Sequence, residues 1–373
     1  MTVIAIDAVG IGQPGGGRSA TVNLLRELLR LDTANHYLLL LDQPESELAA
    51  LGAHVEQKLV PIHHRLLSRL WGQLTWPFAL RSWRVSLVHH IKNLTTLSLP
   101  GCSLVTIYDM AIVLHPEMFP ASDVYYWRYV QPRMLRTADR IIAISHKTAS
   151  DMTQLYGIPP EKIVVIYPAY DPRFRPAPAE EIERIRRRYQ TGPRFILHVG
   201  SIWRKKNLLT LLLTFEELCR RGYDGKLVLV GRQYTKGYDE AFYAHLGAST
   251  YRERVLLTGP VPGEDLPGLY SAAELMMFPS LHEGFGIVPL EAMACGAPVI
   301  TSNSGALPEV VGGGATVLEN PTDVAAWTET AQRLLSDSSL RAEHVARGLE
   351  WVKRYSAVEA AERTLAVYRD LLS

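Results

Sequence analysis

Pro279-Ser-Leu-His-Glu283-Gly-Phe-Gly-Ile-Val-Pro-Leu-Glu291-Ala-Met-Ala-Cys-Gly-Ala-Pro298 is the stretch whose reading decides the fold. It begins where an apolar run, residues 275–278, ends like a buried strand. It closes in Ala-Met-Ala-Cys-Gly, a helix end capped by Gly296. Glu283 falls in the loop before that helix and Glu291 inside it. Gly284 and Gly286 flank Phe285, so the amides of Phe285, Gly286 and Ile287 allow close approach of a ligand. A helix N-terminus facing the crevice beyond a parallel strand is a natural anion site. The stretch therefore offers amides for phosphate and carboxylates for hydroxyls, the two needs of a nucleotide sugar. Two glutamates at this spacing read by default as solvated charges. Glu291, set between Leu290 and Ala292-Met293, counts against that reading, because an unpaired carboxylate among apolar residues is costly.

Working outward, the same grammar recurs. Residues 194–199 read as a strand, followed by Gly200-Ser-Ile-Trp-Arg204-Lys205-Lys206-Asn207 and an apolar helix from Leu208. Three consecutive cations are usually a solvated face. These three follow a buried strand at its carboxyl end, where open α/β sheets bind ligands. At the other end of the chain, strand 3–6 leads through Gly10-Ile-Gly12-Gln-Pro-Gly15-Gly-Gly17-Arg18 into a helical pattern over 19–31. That loop is not a Walker motif, since no Gly-Lys-Ser/Thr follows, and its glycines alone read by default as a flexible connector. Further strands are predicted at 37–41, 86–89, 104–107, 140–145, 163–166, 226–230, 255–258, 274–278 and 298–301. A last amphipathic helix is predicted over 357–372. Prolines 168, 172, 176 and 178 mark a linker, with the domain boundary near residue 175.

Here the sequence resembles a known family. Glu283-Gly-Phe-Gly-Ile-Val-Pro-Leu-Glu291 is similar to the Glu-x7-Glu signature of the retaining GT-B glycosyltransferases of group 1 (family 4, GT4). The runs Gly296-Ala-Pro-Val-Ile-Thr and Gly305-Ala-Leu-Pro-Glu309-Val-Val extend the likeness. The resemblance implies an α/β GT-B fold: two Rossmann-like domains facing a central cleft, residues 1–175 and 176–355. Residues 356–373 are then a helix packing back on the first domain. It implies a hexosyltransferase taking a nucleotide-sugar donor, GDP-mannose or a UDP-hexose, to a glycan or lipid-linked acceptor. Polysaccharide biosynthesis is the implied setting. A catalytically impaired nucleotide-sugar-binding protein, or a phosphorylase or epimerase on the same scaffold, is the alternative.

Residue by residue, the resemblance makes Glu283 the holder of donor-sugar hydroxyls and Glu291 the grip on the ribose diol. The family's Arg-Lys-Asn turn falls on Lys205, Lys206 and Asn207. Lys206 is then the main cation on the donor pyrophosphate, and Arg204, where proline is usual, is placed to supply a guanidinium. Gly17 and Arg18 face the donor from the first domain, and Val261 lies near the nucleobase. A family strand ending in His-Asp falls on Tyr108-Asp109. Tyr108 departs from the imidazole but keeps a hydroxyl for sugar or acceptor contact, and Asp109 is a catalytic candidate.

Composition sets the outer bounds. The chain has 373 residues, 47% of them hydrophobic and 21% charged, enough for two cored domains. A net charge of +1 gives no global field for nucleic acid, so any anion site is local. Three scattered cysteines make neither a disulfide framework nor a metal motif, and no Asp-x-Asp appears, so no metal or other cofactor is expected. The N-terminus reads as a strand rather than a signal peptide, and a cytoplasmic location is expected. Residues 63–84 mix Trp71, Trp76 and Trp83 with Arg65, Arg69, Arg81 and Arg84. This segment reads as core-packing helices with snorkelling arginines, or, with a lipid-linked acceptor, as a peripheral membrane contact. His89-His90 read as structural. Ser145-His146 would suit a hydrolase only with a geometry that sequence adjacency does not supply, and the hydroxyls there suit a helix N-cap.

Overall fold

The computed structural model describes residues 2–11, 16–60, 77–91, 93, 101–233 and 239–373. Gly12–Gly15 of the N-terminal glycine loop and residues 63–76 of the basic aromatic segment, with Arg65, Arg69, Trp71 and Trp76, lie outside the described residues. The chain divides into two compact units, Met1–Asp171 with Tyr355–Ser373, and Pro172–Arg354.

The first unit is a parallel sheet of β1 (Val3–Asp7), β2 (His36–Leu41), β3 (Val55–Leu59), β4 (Leu87–His90), β5 (Cys102–Ile107), β6 (Arg140–Ala143) and β7 (Ile163–Val165). Their order across the sheet is β3-β2-β1-β4-β5-β6-β7. Strands β2, β4 and β5 are almost wholly buried, as a sheet covered on both faces requires. One face is sealed by the first helix (Gly16–Leu31) and the C-terminal helix (Ala357–Leu372), which bring Leu25, Leu28, Ala361 and Tyr368 against Ile4, Ile6 and Leu104. His89 is locked inside this core between the Tyr368 hydroxyl at 2.7 Å and Thr106 Oγ1 at 2.8 Å. Burial, with the His90 charge beside it, lowers its pKa to about 3, so it packs as a neutral ring.

The second unit holds β8 (Phe195–Val199), β9 (Lys226–Val230), β10 (Val255–Gly259), β11 (Leu275–Phe278), β12 (Val299–Ser302) and β13 (Thr316–Leu318). All run parallel in the order β10-β9-β8-β11-β12-β13. Leu211, Phe215 and Leu218 of the helix Leu208–Arg220 pack with Leu227, Leu275, Ile300 and Trp327 into its core.

The unit boundary falls earlier than the expected residue 175, and the packing explains why. Phe174 is buried and meets the Tyr270 ring edge-on at 5.9 Å, while the Arg173 guanidinium covers Phe174. Residues 172–175 are thus anchored to the second unit rather than trailing from the first. At the return crossing, Tyr355 is buried against Tyr167 of the first unit at 5.7 Å, so that unit regains the chain one residue before the expected 356. Among the described residues, no helix is long and apolar enough to cross a membrane.

Candidate active site

In the second unit the connections leave β8 and β11, adjacent strands, toward opposite halves of the sheet. That divergence is a topological switch point, and the crevice beyond it is the standard ligand position in such sheets. The turn after β8 carries a 3-10 helix, Arg204–Lys206, closed by Asn207 in the left-handed conformation at φ 55°. Asn207 then clamps the site. Its Nδ2 donates to the Pro279 carbonyl at 3.1 Å and the Pro321 carbonyl at 2.7 Å, and its Oδ1 accepts from Thr210. The Leu281 amide donates to the Lys205 carbonyl at 2.8 Å. The two switch-point turns are therefore stitched together through backbone and amide bonds.

That stitching sets Glu283 against both lysines. Lys206 Nζ lies 2.5 Å from Glu283 Oε1, and Lys205 Nζ lies 3.8 Å from Oε2. Lys206 also stands 4.7 Å above the Phe278 ring, and Lys205 5.7 Å from the Trp203 ring. Burial alone would raise the Glu283 pKa. The charges of Lys205 and Lys206 and the Lys206 hydrogen bond overcome it and hold the carboxyl at about 2. The Glu283 carbonyl accepts from the Ala306 amide at 2.8 Å, beneath Gly305.

Past Glu283, Gly286 takes φ 118° and opens the signature helix, Ile287–Ala294. A side chain on Gly286 would strike Leu307 at 2.7 Å. Phe285 turns its ring into the interior, so its backbone is the part able to meet a ligand. Glu291 lies within the helix, buried, and accepts from the Tyr270 hydroxyl at 3.1 Å. Burial and the Glu291 charge push the Tyr270 pKa well up, which keeps that hydroxyl a donor. The helix ends as expected: Gly296 is left-handed, with Gly296 N–H to Met293 O and Ala297 N–H to Ala292 O forming a Schellman closure.

Arg204 is exposed on the same turn, with Asp239 near enough to feel its charge. Val261 is half-buried just past β10. In the first unit, Gly17 falls in the opening turn of the first helix, and Arg18 makes a bidentate pair with buried Glu45, 2.9 Å to each oxygen. Any contact of Arg18 with a donor would require that pair to open or be shared. Tyr108, at the end of β5, exchanges a hydroxyl hydrogen bond with Thr21 at 2.8 Å, and Asp109 Oδ1 accepts from the Ala111 amide. Burial raises the Tyr108 pKa, so it serves as a neutral hydroxyl. His90 faces Asp7 at 3.0 Å across β1 and β4. Ser145 caps the helix His146–Tyr156 through its hydroxyl, as its sequence context suggested, which leaves the hydrolase reading without support. Among the described residues, no three His, Cys, Asp or Glu side chains gather as a metal site needs.

Fold and site together define a two-unit α/β protein with a cationic switch point. Comparison with known proteins narrows this. Residues 14–174 match the family model Glycosyltransferase Family 4, and residues 180–351 match Glycosyl transferases group 1. The chain is 31% identical to the O-antigen chain mannosyltransferase B of Escherichia coli, over 78% of this chain and 76% of that one. It is 30% identical to the serotype-specific mannosyltransferase WbdA of Escherichia coli over 73% of this chain, but spans only 34% of that longer relative. Its fold superposes on sucrose-phosphate synthase from Thermosynechococcus elongatus with a TM-score of 0.79 at 21% identity, covering 100% of this chain and 99% of the other. It also superposes on Anabaena HepE in complex with UDP-glucose, with a TM-score of 0.76 at 18% identity, covering 99% and 100%. These likenesses establish the fold as GT-B. The chain belongs to the group 1, family 4 glycosyltransferases, and it is a glycosyltransferase.

Proposed function

We propose that the protein transfers a hexose from a nucleoside-diphosphate sugar to a hydroxyl of a glycan or lipid-linked acceptor, with retention at the anomeric carbon and without a metal. The observation that carries the reading is the meeting of Lys205, Lys206 and Glu283 at the switch point of the second unit. Loss of a nucleoside diphosphate develops negative charge on the leaving phosphate, and preplaced cations and amides are what lower that barrier. Lys206 and Lys205 serve as the cations, and the Gly286 and Ile287 amides add the helix N-terminus. On donor binding, Glu283 gives up part of its hold on the lysines and turns to donor-sugar hydroxyls. Glu291 takes the ribose diol, with Tyr270 fixing one of its oxygens. Retention follows if the acceptor enters on the face from which the phosphate leaves, the phosphate oxygen taking the acceptor proton.

Mannose is the sugar favoured by the mannosyltransferase relative, and UDP-glucose is the donor held by HepE. Thermal unfolding in the presence of UDP, GDP and ADP, and then of their sugar conjugates, tests both points. A ligand at 100 times its Kd stabilises the folded state by about 2.7 kcal/mol. One base raising Tm, followed by transfer from its sugar conjugate to a mannose-terminated acceptor, is the expected result. A folded protein with no response to any nucleoside diphosphate would sink the proposal.

A further inference from the structure

Beside Lys206 the site holds a buried polar atom whose purpose the mechanism above leaves open. His198 is the fourth residue of β8 and is fully buried. Its Nδ1 lies 3.0 Å from the Met277 carbonyl oxygen, and a carbonyl only accepts, so Nδ1 carries the proton and Nε2 presents a bare lone pair. Among the described residues Nε2 has no hydrogen-bond partner. Burial, joined by the Lys206 charge, lowers the pKa to about 4 against the opposing pull of the Met277 bond and Glu283, so the ring is neutral near pH 7. An unpaired buried acceptor is destabilising. A phenylalanine would fill the same space, flat against Phe278 at 5.4 Å, without that cost.

The surroundings of Nε2 identify what it faces. It lies 3.1 Å from the point where a Cβ on Gly200 would stand, and Lys206 Cε and Cδ lie 3.4 and 3.7 Å from that same point. The Lys206 stem and the imidazole lone pair thus border one small space beside Gly200. Lys206 Nζ sits above Phe278, the ring on which His198 stacks. An ammonium has three protons to place. Glu283 takes one at 2.5 Å.

We propose that His198 is a positioning residue for Lys206, its Nε2 accepting one ammonium proton while Glu283 and the donor diphosphate accept the other two. The inference rests on Lys206 being the cation that meets the diphosphate. The imidazole and the diphosphate would hold the ammonium still as Glu283 turns toward the sugar. Without Nε2, Lys206 would swing on its four-carbon stem and spend less time on the phosphate.

The test is a double-mutant cycle read by calorimetric titration of the full chain with GDP and with UDP, using GMP and UMP as controls lacking the β-phosphate. His198→Phe is expected to weaken diphosphate binding about tenfold and to leave monophosphate binding within twofold. In the Lys206→Ala background the same change should alter diphosphate binding by less than twofold, since coupled residues are not additive. His198→Gln, which restores both a donor and an acceptor, should recover most of the affinity. His198→Leu carries the same test if the Phe variant does not fold. Equal losses in both backgrounds, or no loss from His198→Phe, would overturn the positioning role and leave the proposed function standing. Wild-type diphosphate affinity in Lys206→Ala itself would overturn the cation assignment, and the inference with it.

Discussion

Lys206 Nζ and Glu283 Oε1 stand 2.5 Å apart although 77 residues separate them in the chain. The pair is nearly buried, at 14% exposure for each side chain, and Lys205 adds a second cation on the other carboxylate oxygen. Removing one partner of such a pair leaves charge uncompensated in a poorly solvated place. Glu283→Gln should therefore destabilise the protein by roughly 3–5 kcal/mol. Glu283→Gln combined with Lys206→Met should cost less than that single change, because the second substitution removes a stranded cation. Urea unfolding of the three variants reads both expectations. A double variant less stable than Glu283→Gln would show that the lysine is held by packing rather than by charge.

The same carboxyl sets an acid limb. Its folded-state pKa is about 2 against an ordinary 4.5 in an unfolded chain. A carboxyl depressed on folding contributes stability that is complete above the unfolded value and is lost as pH falls through the folded one. This contribution should be whole above about pH 4.5 and gone near pH 2. Stability measured against pH for wild type and Glu283→Gln should show curves whose gap narrows across that interval. A constant gap from pH 6 to pH 2 would mean that Glu283 is not held ionised by the lysines.

Gly305 has left-handed φ 64°, and a Cβ there would lie 2.1 Å from the Glu283 carbonyl oxygen and 2.8 Å from its amide nitrogen. Both atoms are backbone, so relief requires the Glu283 loop itself to move. Gly305→Ala should lower turnover more than tenfold, since small displacements of a positioned group carry large rate penalties. It should also lower stability by at least the roughly 1–2 kcal/mol of a side chain in left-handed backbone. Gly313→Ala, in open space on the same unit, is the control and should change neither. Matching turnover in the two variants would remove the Glu283 carbonyl from the supports of the site.

Much of this arrangement was legible in the sequence. Strands β1, β8 and β9 announced themselves as apolar runs, and the final helix begins and ends at the expected residues. The placing of Glu283 before a helix and Glu291 within it also followed from local pattern. Two of the four edge strands, β3 and β13, did not. β3 is Val-Glu-Gln-Lys-Leu and half exposed, and β13 is three half-buried residues, so neither carries the apolar signature of a covered strand. Side-chain partnerships were hidden for a different reason. The Asn207 clamp, the Tyr270 bond to Glu291 and the Arg18–Glu45 pair each join residues distant in sequence, and residue type alone does not say which partner is met. His198 had a findable signal, a polar residue inside an otherwise apolar buried strand, but only the sheet register shows that it reaches the Met277 carbonyl.

Tyr270 and Glu291 are both buried, and the tyrosine donates to a carboxylate already inside the protein. If Glu291 grips the ribose, its loss removes hydrogen bonds to a charged acceptor, each worth roughly 1.5–3 kcal/mol. Glu291→Ala should then weaken binding of the preferred nucleoside diphosphate by about 10- to 150-fold, and weaken its 2′,3′-dideoxy analogue little further than wild type binds it. Tyr270→Phe keeps the carboxylate but frees one oxygen to turn, so a loss of threefold to tenfold is expected, with turnover at saturating donor nearly unchanged. Calorimetry with the ribose and dideoxyribose nucleotides separates this role from general damage to the helix. Equal losses for both nucleotides in Glu291→Ala would move Glu291 out of the ribose site and leave it a structural partner of Tyr270.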